Sequence, residues 1–293
     1  MRLLLVSSLF IIGLTVTALS TAAEDTPSHP TTAGVGQEPV IYLDVQASTW
    51  RPRGRVSFGI VPSVRMKLAS AGFAVTQAPE SPHGLILTVE YREERGKQIS
   101  FNLYGTEIMC VILLDHPQQG RLLSVKIHES PAYAGLVTAP YVEVVEKFQA
   151  NPYFYFLGDL IRGRIDAHFD TTGALIQALD RHVDRERHPR AVTPLDTLES
   201  PAETFSDLDL HFAGLARENA VEELGRLKDS RAIELLKSLM FDSDPRTRLR
   251  AVLALGEFDA PALAPAIARV VQADSDPDVR DAAISVLARS STR

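Results

Sequence analysis

The stretch Asp242–Phe258 reads DSDPRTRLRAVLALGEF, and Asp274–Ala288 reads DSDPDVRDAAISVLA. From Asp242 to Asp274 is 32 residues, the period of a two-helix repeat and far too long for a coiled-coil heptad. Each stretch opens on an Asp-Pro pair, Asp244-Pro245 and Asp276-Pro277. An aspartate there accepts hydrogen bonds from first-turn amides, and a proline at the first helical position needs no donor and already has the required φ. Arg248 and Arg280 follow, each leading into a run of small apolar residues. Further back, RENAVEELGRL from Arg217 aligns with RLRAVLALGEF from Arg248 at a step of 31. Arg217, Arg248 and Arg280 therefore form one column, and Leu224, Leu255 and Leu287 another.

DPRTRLRAVLALG and DPDVRDAAISVLA resemble HEAT-like repeats, the short bacterial kind first named from phycobilin lyases. The resemblance covers residues 207–293 and implies a short all-α solenoid whose surface binds a protein. A single helix pair cannot bury its apolar stripe, so pairs stack, and alanines let them approach closely. The Arg column is expected to meet acidic or carbonyl groups of the neighbouring repeat. The first repeat departs from the pattern, with Ala213-Gly214 where Asp-Pro would stand. About two and a half repeats make a short block, which is expected to lean on the preceding domain or on a partner.

The whole chain has 293 residues, 45% hydrophobic and 23% charged, with a net charge of −7. That is ordinary globular composition with room for about two domains. An acidic chain with no Lys/Arg block is not expected to bind nucleic acid, because phosphate recognition needs a concentrated positive face. The opening MRLLLVSSLFIIGLTVTALSTAA has a positive start, an apolar stretch and a small-residue ending. Residues 1–23 thus read as a signal peptide, predicting export to a periplasmic or extracellular space. An uncleaved N-terminal anchor is the competing reading, since the stretch is near the ~18 residues that can span a bilayer. No cysteine stands near the cleavage point, so no lipid anchor is expected; the one cysteine, Cys110, lies in an apolar run and reads as a buried strand residue.

Residues 24–38 are rich in Pro, Thr and Gly and read as a flexible leader. Residues 39–185 read as an α+β domain, a mostly antiparallel sheet with packed helices. VIYLDVQ, FAVTQ, GLILTVEYREE, ISFNLYGTEIMCVILLD and RLLSVKIHE are its predicted strands, the fourth long enough to carry a bulge near Gly105. VPSVRMKLASAG reads as a helix, and Asn151-Pro152 as the cap that restarts a second helical stretch. The order of elements is similar to that of small accessory domains of bacterial envelope lipoproteins and transport auxiliaries. Residues 186–206, with three prolines, read as a linker.

Catalytic signals are weak. His182, Glu186 and His188 have a spacing that zinc could use, Asp166 and Asp170 flank His168, and His128-Glu129-Ser130 contains triad residue types. Solvated helix faces explain the first two groups, and three adjacent residues cannot converge as a triad. No catalytic residue, metal site or cofactor is therefore expected. Tyr153, Phe154 and Phe156, in the cluster PYFYF, are the candidate partner-binding residues, with core packing as the alternative. The expected role is that of an exported, non-catalytic interaction scaffold with a protein partner. Alternatives are an accessory of a membrane-associated envelope-assembly or lipid-transport complex, and a lyase-like enzyme.

Overall fold

A computed structural model describes residues 39–51, 56, 58–131, 140–165, 170–187, 207–258 and 260–291. The signal and leader segments (1–38), residues 188–206 of the linker, and Asp166, His168 and His188 lie outside the described residues, as do the side chains of His182 and Glu186.

Five strands follow the alternation that the sequence carries: β1 (Ile41–Thr49), β2 (Val75–Thr76), β3 (Leu85–Ser100), β4 (Leu103–His116) and β5 (Gly120–Glu129). One side of the sheet is apolar and covered, with Leu85, Leu87, Val89 and Tyr91 on β3 and Ile108, Cys110, Ile112 and Leu114 on β4 all buried. Their strand order is β2-β1-β3-β4-β5.

Two features differ from the expected mostly antiparallel sheet. β1 runs parallel to both β2 and β3, so the sheet is mixed. The reason is helix α1 (Ile60–Ser70), which carries the chain back to the end where β1 began, and only such a crossover joins parallel neighbours. The predicted strand ISFNLYGTEIMCVILLD is also not one strand. The chain reverses at Phe101-Asn102, pairing Ser100 with Leu103, a turn without the Gly or Asn-Gly signal that marks most two-residue hairpins. The irregularity expected near Gly105 is present: Arg95 pairs with Thr106 and Gln98 with Tyr104, so the additional residue sits on β3.

Helices α2 (Pro140–Ala150), α3 (Pro152–Tyr155), α4 (Leu157–Ile165) and α5 (Thr171–Arg187) follow. Asn151 caps α3 by accepting from the Tyr153 amide at 3.0 Å, a contact worth about 1 kcal/mol. Phe58, Tyr91, Phe148 and Phe154 interlock on the covered side of the sheet, with the Phe148 and Phe154 rings 4.4 Å apart. At Gly158 a Cβ would stand 2.6 Å from the Lys67 carbonyl oxygen, so only glycine lets α4 lie this close to α1.

The C-terminal region is all helical: α6 (Asp207–Leu227), α7 (Ile233–Leu239), α8 (Pro245–Leu255), α9 (Ala264–Ala273) and α10 (Pro277–Ser291). Its apolar core joins Val221, Leu224, Leu236, Val252, Leu255 and Ile267 to Phe156 and Leu160 of the α3–α4 segment and to Leu175 and Leu179 of α5. The short repeat block thus leans on α4 and α5, which complete its core. The architecture is α+β followed by a helical-repeat block, and the described residues belong to one compact unit. Among the described residues no helix is long and apolar enough to cross a membrane.

Candidate functional site

The repeat motif builds a ladder along the edge of the helical block. Asp244 caps α8 by accepting from the Arg246 amide at 3.0 Å, and Asp276 caps α10 by accepting from the Asp278 amide at 2.9 Å. Pro245 and Pro277 are the first residues of those helices. Arg248 donates to both carboxylate oxygens of Asp274 at 2.9 Å and to the carbonyls of Asp242 and Ser243. Arg280 repeats the second half of that pattern, donating to the carbonyls of Asp274 and Ser275 at 2.8 and 3.0 Å. Arg217 lies 3.7 Å from Asp242. Asp242 and Asp274 also accept from the Asp244 and Asp276 amides, so one carboxylate orders the turn while pairing with the preceding repeat. Hydrogen bonds from Arg248 hold Asp274 below its ordinary pKa.

The seven motif residues Arg217, Asp244, Pro245, Arg248, Asp276, Pro277 and Arg280 therefore sit in capping and inter-repeat contacts. Sequence reading missed Asp242 and Asp274, the other half of the ladder. Their signal was the first Asp of each DSDP, recurring at the same offset from the Arg column.

Beside this ladder lies a groove of about 550 Å³ between the ends of α7 and α9. Its floor carries Arg248 and Asp274, which are engaged with each other, while Phe241 and Arg269 stand at its sides. Phe241 is 68% exposed. The equivalent position one repeat later is Ala273, so the repeat itself does not require an aromatic there. Arg269 occupies the position of Lys237, which pairs with Glu234 at 3.0 Å. Arg269 has Ala266 in place of that acid and makes no ion pair among the described residues.

A second cleft, about 440 Å³, lies where α3 meets α6. The Tyr153 hydroxyl donates to Glu223, which is gripped by Arg226 at 2.8 and 2.6 Å. Burial, then the Glu223 contact, pushes the Tyr153 phenol up to about 12. Asn219 donates to the Ala150 carbonyl at 2.9 Å, so this cleft is the joint between the two parts of the chain. Of the aromatic cluster, only Tyr153 reaches this cleft. Phe154 and Phe156 are 1% and 5% exposed and belong to the two cores, which removes both from any docking surface.

One polar cluster is buried within the α+β region. Glu93 accepts from Thr49 at 2.8 Å, Tyr141 at 3.3 Å and Tyr91 at 3.4 Å, tying β1, β3 and α2 together. Burial first, and then the Glu93 charge, raises the Tyr91 pKa far above that of a free phenol. Burial pushes the Cys110 thiol up to about 12, so at neutral pH it is not a thiolate nucleophile. His128 faces Glu107 and Glu129 faces Asn151, so adjacent members of the His128-Glu129-Ser130 triplet diverge. Asp170, on the surface, pairs with Arg231. Among the described residues no group of three His, Cys, Asp or Glu side chains is placed to hold a metal ion.

No curated protein matches the chain. A family model described as HEAT repeats matches residues 211–288, from within α6 to within α10, and the C-terminal region is accordingly a HEAT-like helical repeat, a kind that serves protein interaction.

Proposed function

We propose that this chain is an exported, non-catalytic interaction scaffold that holds a protein partner in the groove beside Phe241. The observation that carries the reading is Phe241 itself, a 68% exposed phenylalanine lining one groove with Arg269, which makes no ion pair among the described residues, on a repeat that needs only alanine there. Buried aromatic and arginine anchors contribute most strongly to protein interfaces. The partner is a segment offering an apolar pocket to Phe241 and a carboxylate to Arg269. Export rests on the signal-like residues 1–23. The alternative of a lipid-transport accessory leaned on the PYFYF cluster, and burial of Phe154 and Phe156 takes that support away.

Affinity capture from envelope extract with the full chain and with Phe241→Ser/Arg269→Glu tests the proposal. Loss of specific protein partners in the double variant supports it, and an unchanged set refutes it. Point variants are preferable to deleting the repeats, because deletion would uncover Phe156, Leu160 and Leu175.

A further inference from the structure

β1 ends where Thr49 pairs with Glu93, and β5 ends where Glu129 pairs with Ile108. Beyond both, residues 94–107 continue as a two-stranded ribbon of β3 and β4 alone. Two strands by themselves are marginal in water, and this ribbon is braced at its base. Arg95 stacks over the Tyr104 ring at 3.5 Å and lies 5.8 Å from the Trp50 ring, while Trp50 meets Tyr104 edge-on at 6.4 Å. Past that brace the polarity inverts. Phe101 at the turn is 89% exposed and Leu103 beside it 46%. Residues 95–104 contain Arg95 and Lys97 and no acid, on a chain whose net charge is −7.

Exposed apolar residues at a tip, cations beside them and a Trp/Tyr pair at its base form the combination that seats proteins at a membrane–water interface. A large exposed phenylalanine stabilises nothing in water. Charge complementarity selects the surface, since the tip is locally positive and an acidic body would be repelled by anionic lipid in other orientations. We infer that the Phe101 hairpin inserts into the headgroup region of an anionic bilayer, with Phe101 and Leu103 entering the acyl boundary and Arg95 and Lys97 facing lipid phosphates. This is a contact with a lipid surface, independent of the partner groove.

Trp50 is the one tryptophan of the chain and reports the event directly. The full chain is titrated with phosphatidylcholine vesicles, with and without phosphatidylglycerol, following Trp50 emission and co-sedimentation. A blue shift and sedimentation with phosphatidylglycerol vesicles, weakened by salt, are expected. Phe101→Ser/Leu103→Ser should lower partitioning on the order of tenfold or more, and Lys97→Glu by roughly fivefold or more. All three side chains are exposed, and circular dichroism confirms that each variant folds. Absence of binding to either vesicle, or binding that the Phe101/Leu103 variant leaves unchanged, overturns the inference. Cross-linking from position 101 to a protein without vesicle binding overturns it as well and reassigns the tip to a protein partner.

Discussion

The Arg248 guanidinium and the Asp274 carboxylate meet through two hydrogen bonds of 2.9 Å across the boundary between successive repeats. Both side chains are nearly buried, so removing one strands the other. Asp274→Ala should destabilise the chain by about 3 kcal/mol, read by urea denaturation. A double-mutant cycle with Arg248→Met should return a coupling of about 1–3 kcal/mol; additive losses would show that the two groups act separately.

The same pair contributes to acid sensitivity, alongside Asp170, Glu223 and Asp229, whose carboxyl groups are also held below their ordinary values. Arg248 lowers the folded-state pKa of Asp274 from the ordinary 3.8. The stability it contributes is present above that ordinary value and is lost as pH falls through it toward the folded value. Asp274→Asn should reduce the slope of the acid limb of a stability–pH profile, the share of Asp170, Glu223 and Asp229 remaining, while leaving its alkaline limb unchanged.

Lys67 should produce a slope of the same sign in the alkaline range. Burial lowers its pKa to about 8, while its ammonium donates to the Tyr155 carbonyl at 3.2 Å and faces the Phe154 and Tyr155 rings. Between about 8 and the ordinary 10.5 the unfolded chain binds the additional proton, so stability rises with pH across that window. The difference in urea midpoint between the wild type and Lys67→Met, measured at steps from pH 7 to pH 10, isolates this contribution. A difference that does not vary with pH would contradict it.

Glycines in the repeat allow an internal comparison. A Cβ at Gly225 would sit 2.7 Å from the Ala254 Cα, whereas one at Gly256 would meet the Val286 methyls at 2.7 and 2.9 Å. Backbone cannot yield as a side chain can, so Gly225→Ala should cost about 2–3 kcal/mol and Gly256→Ala less. Val286→Ala should restore part of the loss in thermal midpoint at Gly256 and none at Gly225.

Two phenylalanines should separate stability from recognition. Phe154→Ala should cost about 3–5 kcal/mol, because the ring is enclosed by Phe58 and Phe148. Phe241→Ser should change stability by no more than about 0.5 kcal/mol, since that ring is mostly exposed. Thermal unfolding of both variants gives the comparison.

The sequence by itself determined the helical repeat. Asp-Pro caps, the Arg column and the small-apolar runs act within a few residues of chain, and their recurrence at 32 residues reports stacking before any contact is seen. The strands were legible for the same reason, because alternation such as that from Leu85 to Tyr91 is local. Tertiary structure alone decided the pairing of β1 parallel to β3, since strand direction depends on where α1 returns the chain. The reversal at Phe101-Asn102 was hidden because Asn102 is followed by Leu103 and not by the glycine of an Asn-Gly hairpin signal, and the flanking strands read as one. Phe154 and Phe241 are the same residue type in sequence. One is core and the other surface because burial depends on which distant elements arrive to cover a side chain, and that information is nonlocal.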